Sequence, residues 1–304
     1  MLARRIVLGS AVPLLLFSLL AVESPSESSS HEVPSPDEMV MTAPLPSKVT
    51  GPPDHTITFA GTVGARPDPA VWRPEVGGNG WGNDEVQTYT ADAANAHLDG
   101  SGRLVITARR ESRTGADGIT RNYTSARLTT EGHYNVPPGS YVEASITAPT
   151  GTGLWPAFWL AGADVAQVGW PASGELDIFE GWGAQPTVAH SAVHLAATGD
   201  PHDPRQYGWD DPGGTTDLGA PLDGRAHRYG VYFDGQVVRF YIDAKPTMTV
   251  WASDATAAGS AWPFGQPQHL LLNVAVSGGQ PPTDDFPKSM IVSEIKVWKG
   301  GIPF

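Results

Sequence analysis

The chain has 304 residues, enough for one large domain with an appendage. It contains no cysteine, which excludes a disulfide framework, cysteine-ligated zinc, a thiol nucleophile and a lipid-modified cysteine. A net charge of −13 with only 19 Lys+Arg argues against nucleic acid as a partner, while a neutral polysaccharide would be indifferent to that charge.

Residues 1–22 place Arg4 and Arg5 before an uncharged apolar run from Ile6 to Val22. A charged n-region followed by an apolar h-region points to export, so a secreted or extracellular protein is expected. The run approaches the length of a membrane span, so an uncleaved N-terminal anchor is the alternative, and the only membrane attachment expected. Residues 23–55 are rich in Ser, Pro and Glu and lack apolar periodicity, which reads as a disordered linker. From residue 56 to 304 the pattern is short strands punctuated by Gly, Pro and Asp. Strands are expected over Leu104–Arg109, Val142–Thr147, Leu270–Val276 and Ile291–Trp298. Arg228–Phe233 and Gln236–Ile242 flank Asp234-Gly235, a two-residue hairpin signal. Many short strands without long helices predict one all-β domain, a two-sheet β-sandwich.

Within that domain, Trp170 to Trp182 reads WPASGELDIFEGW. Glu175 and Asp177 share one face of a strand, Leu176 and Ile178 the other. Strict alternation would then drive Glu180 into the core, where an unpaired carboxylate is costly. A one-residue bulge near Ile178–Phe179 removes the conflict by returning Glu180 to the acidic face. Three aligned carboxylates repel each other and gain nothing structurally. They suit glycoside hydrolysis with retention, where two carboxyl groups act as nucleophile and acid/base and a third tunes them. A cation site and a plain solvent-facing strand are the competing readings.

The signature E-[I/L/V]-D-x-x-E, matched by Glu175, Asp177 and Glu180, resembles that of glycoside hydrolase family 16, laminarinase-like branch. Six further blocks are similar to the family's in the same order: GGNGWGNDEVQTYT, LDGSGRLVITARR, YTSARLTTEG, GLWPAFWLAG, HLLLNVAVSGG and FPKSMIVSEIKVW. The resemblance covers roughly residues 57–298. It implies a jelly roll with a curved substrate cleft and an endo-acting retaining hydrolase of β-1,3-glucan, with Glu175 as nucleophile, Glu180 as acid/base and Asp177 hydrogen-bonded to a neighbouring glutamate. The same signature also serves β-1,3-1,4-glucanases, other polysaccharide hydrolases and transglycosylases. A glucan-binding protein without catalysis is disfavoured by the presence of all three acids.

Trp155 and Trp159 lie four apart on an extended stretch, hence on one face, and by themselves read more readily as a core ladder than as a sugar platform. The resemblance makes them sugar-stacking residues, with Trp170 and Trp182 as weaker candidates. His190 and His194 alternate on the strand expected over Thr187–Ala196. The resemblance assigns His194 to the acids, with a Glu180–His194 contact, and leaves His190 structural. Asn83 and Trp81, in a Gly-rich loop, and Arg127 are implied binding residues; Asn273 and Gln280 are lesser ones. Many bacterial relatives bind calcium through two carboxylates that are here Thr58 and Ser293, so no metal and no cofactor is expected. A chain acting as a monomer on polysaccharide is the expectation.

Overall fold

The computed structural model describes residues 44–209, 213–277, 279, 282 and 285–304. The signal or anchor at 1–22 and the linker as far as residue 43 lie outside the described residues. Residues 44–55, read from sequence as the end of the linker, hold structure. The Val49 amide donates to the Ile302 carbonyl (2.8 Å), the Ile302 amide donates to Ser47 (2.9 Å), and Lys48 bridges Ile302. Composition could not reveal this, because the pairing partner lies some 250 residues away in sequence.

Two sheets form the domain. The back sheet runs Lys245–Trp251, Val237–Ile242, His227–Phe233, Ser140–Thr147, Lys288–Lys299, Leu104–Thr114, Thr120–Ser125, Gln87–Tyr89. His55–Thr58 adds to the Lys288–Lys299 strand and Ala96–Leu98 to Leu104–Thr114. The front sheet runs Asp200–Gly208, Val188–Ala197, Glu175–Gly181, Leu154–Gly162, Gln268–Val276, Arg127–Thr129, Arg73–Glu75. Thr215–Asp217 pairs with Val188–Ala197, and Asn135–Val136 with Gln268–Val276. Among the described strands pairing is antiparallel except between Gln87–Tyr89 and Thr120–Ser125, and the isolated Lys48–Ile302 bridge is also parallel. The all-β sandwich expected from the strand pattern is therefore observed. Its strands are mostly longer than the apolar runs alone indicate: Lys288–Lys299 exceeds the expected Ile291–Trp298 at both ends. The Asp234-Gly235 hairpin is present, with Asp234 Oδ1 accepting the amides of Gln236 (2.7 Å) and Val237 (2.9 Å).

The sheets bury their facing sides against each other. Phe158, Leu160, Leu176, Phe179, Leu270 and Leu272 from the front meet Ile106, Ile146, Val231, Phe240, Met290 and Val292 from the back, each essentially inaccessible to solvent. Alternation then turns every second residue of the front sheet outward, and those residues floor the cleft. The exposed edge strand Asp200–Gly208 carries Pro201 and Pro204, which lack an amide donor and so discourage further strand addition. A separate aromatic cluster on the back sheet, Tyr141, Tyr232, Tyr241 and Trp298, is covered by Val49, Ile302 and Phe304, which explains the ordering of residues 47–49.

Candidate active site

Glu175–Gly181 lies at the middle of the front sheet, and its register carries the expected bulge. Phe179 opposes Phe158 while Asp177 opposes Trp159, leaving Ile178 as the extra residue. On the other side Asp177 opposes Ala192 and Glu180 opposes His190, again one residue out of step. Ile178 and Phe179 are consequently both buried in the core, although they are adjacent. The Ser191 hydroxyl donates to the Ile178 carbonyl (3.0 Å), satisfying a backbone acceptor the bulge would otherwise strand. Gly183 keeps the exit of this strand tight: a Cβ there would lie 1.9 Å from the Gly151 carbonyl oxygen. Glu175, Asp177 and Glu180 all reach one cleft of about 870 Å³.

The floor of that cleft is poorly hydrated. Asp177 is 5 % and Glu180 4 % exposed, and the Glu175 side chain 19 %. Burial raises the Glu175 pKa to about 8, reinforced by the charges of Asp177 and Glu180 and opposed by His194 and Arg127. Burial alone pushes Asp177 to about 8. Glu180 is likewise raised to about 8 by burial and by Asp177, opposed by hydrogen bonds from Trp209 and Trp155 and by the charge of His194. Three like charges this close do not ionise independently: loss of the first proton makes the remaining acids hold theirs more tightly, so the trio titrates as a unit.

His194 does not meet Glu180. Its Nε2 lies 3.0 Å from Asp177 Oδ2 and 4.0 Å from Glu175 Oε1. The expected Glu180–His194 contact is corrected by register: antiparallel pairing sets His194 opposite Glu175, and the bulge leaves His190 opposite Glu180. Asp177 thus has His194 as its close partner, where a neighbouring glutamate was expected. His190 is held by Gln185 (2.9 Å) and lies 3.3 Å from the Thr215 hydroxyl.

Tryptophans flank the acids in two groups. Arg127 stands over both the Trp81 and the Trp159 ring, 4.7 Å from each centroid. Its Nε donates to Glu75 (2.5 Å), and Arg73 ties Glu75 to Glu131. Trp159 Nε1 donates to Asn273 Oδ1 (2.8 Å), which fixes the ring. In the second group Trp155 stacks face to face on Trp182 (4.7 Å, 21°), and Trp209 meets Trp182 edge on (5.3 Å, 87°). Trp155 Nε1 donates to Glu180 Oε1 (2.6 Å) and Trp209 Nε1 to Glu180 Oε2 (2.5 Å). One face of Trp155 is therefore occupied by Trp182, and its polar edge is committed to an acid.

Trp170 is 48 % exposed on the cleft wall, its ring 6.2 Å from that of His194. Asn83 and Asn273 line the cleft, and Gln280 lies outside the described residues. Sequence reasoning did not single out Trp209, Glu75 or His269, and gave Glu85 no role; all four line the cleft. Glu85 is buried beside Gln87 (2.5 Å), and burial raises its pKa. Its place in the Gly-rich loop with Asn83 was the available signal. Trp209, just past the strand Asp200–Gly208, offered none.

Glu175, Asp177 and His194 present ligand atoms within 4.8 Å of one another, a set of three that could also touch a cation. The calcium site implied by the family resemblance would lack its two side-chain carboxylates here. Thr58 and Ser293 supply hydroxyls, and the adjacent Glu294 is bound by Lys296 (2.5 Å).

The chain matches the family described as Glycosyl hydrolases family 16 over residues 83–291, more than half its length. It is 36 % identical over 248 residues to a beta-glucanase of Rhodothermus marinus, covering 77 % of this chain and 80 % of that one. Among solved structures it is similar to the endo-beta-1,3-glucanase of Pyrococcus furiosus, with a TM-score of 0.70, 32 % identity and coverage of 84 % and 98 %. The laminarinase catalytic domain of Thermotoga maritima gives 0.70, 31 %, 83 % and 99 %.

Proposed function

The chain belongs to family 16 of the glycosyl hydrolases, and from that premise we propose that it cuts β-1,3-glucan internally, with retention, through Glu175 and Glu180. The observation that carries the reading is the bulged strand that turns Glu175, Asp177 and Glu180 into one tryptophan-lined cleft. The Glu175 carboxylate attacks the anomeric carbon as Glu180 gives its proton to the departing oxygen, leaving a glycosyl ester on Glu175. Water then attacks the same carbon, passes its proton to Glu180 and releases Glu175. Burial raises Glu180 so that it holds its proton for the first step, and Asp177, against His194, adds to this hold once it is ionised.

Support for the β-1,3 linkage comes from relatives named glucan endo-1,3-beta-glucosidase, endo-beta-1,3-glucanase and laminarinase, which stand beside others named endo-1,3-1,4-beta-glycanase. No metal takes part in this scheme, in keeping with Thr58 and Ser293 at the positions where relatives bring carboxylates. Action outside the cytoplasm is supported by the Arg4-Arg5 pair and the apolar Ile6–Val22 run.

Product analysis on laminarin, lichenan, carboxymethyl-cellulose and agarose tests the reading, with E175Q alongside. Short oligosaccharides from laminarin are expected, with E175Q slower by at least about a thousandfold, the scale seen when a nucleophile is removed. Products from lichenan or agarose alone would overturn the substrate. A near-wild-type E175Q would overturn the nucleophile.

A further inference from the structure

Trp209 belongs to none of the sequence blocks that carry the family resemblance, yet it makes the shortest polar contact to Glu180. Its placement is enforced from several sides. The Trp209 amide donates to the Ser191 carbonyl (3.1 Å), and the Ser191 amide donates to Gly214 (2.7 Å). The Thr215 hydroxyl donates to the Trp209 carbonyl. Glycine is required on either side: a Cβ on Gly208 would lie 2.4 Å from the Ser191 carbonyl oxygen, and one on Gly214 2.2 Å from the Trp209 amide nitrogen. Trp209 itself has φ of +61°, a left-handed conformation that a bulky residue adopts only under strain. Strain of this kind persists where the surrounding structure over-determines it, and here it delivers one indole N–H to one carboxyl oxygen.

We propose that Trp209 is a positioning residue for the acid/base: with Trp155 on Oε1 and Trp209 on Oε2, the Glu180 carboxyl is held in one plane through both halves of the reaction. Each oxygen keeps a second lone pair, so either can carry the proton while still accepting an indole N–H. Trp182 fixes the clamp by stacking on Trp155 and meeting Trp209 edge on. Both donors favour the charged carboxylate, and so oppose the burial and the Asp177 charge that push Glu180 upward. Among the described residues, Glu175, Asp177, His194, Arg127 and Arg205 line the same cleft as Glu180, and His190 opposes it in register. The inference rests on the reading of Glu180 as acid/base.

The test is the pH profile of kcat/KM on laminarin for W209F, which keeps the ring and removes the N–H, with E180Q measured alongside. Loss of a hydrogen bond to a charged group should move the alkaline limb up by about one pH unit. A fall of about tenfold in kcat with KM changed less than about twofold is expected as the carboxyl loses its fixed plane. An unmoved limb with only a lower melting temperature would overturn the inference and leave Trp209 structural. An unmoved limb with a raised KM would overturn it too, making Trp209 a sugar platform. Should W209F fail to fold, T215V, which frees the Trp209 backbone, should move the same limb up by about half a unit, and an unmoved limb overturns the inference. Wild-type activity in E180Q would instead refute the acid/base reading itself.

Discussion

On one flank of the acids Trp81 and Trp159 turn their ring faces to the Arg127 guanidinium; on the other, Trp155 and Trp209 turn their N–H edges to the Glu180 carboxyl. An indole carries negative charge on its face and a hydrogen-bond donor on its rim, so one residue type can seat a cation or an anion according to how it is turned. Orientation is decided by what fixes the ring: Asn273 holds Trp159 by its N–H and leaves the face for Arg127, whereas Trp182 covers a face of Trp155 and leaves the N–H for Glu180. The cation-centred group is anchored to further charges, Glu75, Arg73 and Glu131, and so resembles a rigid wall. The anion-centred group touches Glu180, the acid proposed above to exchange a proton, and so bears on chemistry.

The strongest way to break this contrast is R127A. It removes the shared centre of Trp81 and Trp159 and leaves Glu75 without its nearest cation. KM for laminarin should rise by about tenfold, equivalent to about 1.4 kcal/mol of lost binding, while the alkaline limb stays in place. Steady-state kinetics across pH will show whether the wall can be separated from the acid/base; a limb that moved as in W209F would merge the two groups.

A smaller effect is expected on stability from D177N. Burial places the Asp177 pKa at about 8, above its ordinary value of 3.8. The folded state therefore binds the proton more tightly than the unfolded chain. That contribution is fully present below about pH 3.8 and is lost as pH rises towards 8. Asn carries no such dependence, so D177N should gain on the wild type across this window, with a melting temperature higher by about 2–4 °C at pH 9 and little changed at acid pH. Thermal scans at several pH values check it, and a loss of stability at pH 9 would contradict the burial argument.

The smallest expected effect is that of a chelator. If both flanks and the acids work without a metal, EDTA followed by dialysis should leave the laminarin rate and the melting temperature unchanged within error. A marked drop in either, restored by calcium, would show that oxygen ligands other than Thr58 and Ser293 hold an ion.

Much of the site was legible in the sequence because strands translate spacing into direction. The step from Glu175 to Asp177 puts two acids on one face, and the misfit of Glu180 forces a bulge at Ile178, which the register contains. The step from Trp155 to Trp159 likewise puts two tryptophans on the cleft face. The partner of His194 was misjudged, since spacing along one strand says nothing about offset against the next. Residues 44–55 looked like linker for a related reason: their contacts with the chain's end are not local.

By itself, then, the sequence determined the strand pattern, the two-sheet class, the bulged acidic strand and the family. All of these follow from local periodicity and from side chains a few residues apart. Only the tertiary structure decided which histidine meets which acid, which tryptophan offers its face and which its N–H, and that Trp209 reaches Glu180 from 29 positions away. Those outcomes depend on register between strands and on a strained loop packed against its neighbour, and neither has a signature within a short window of chain.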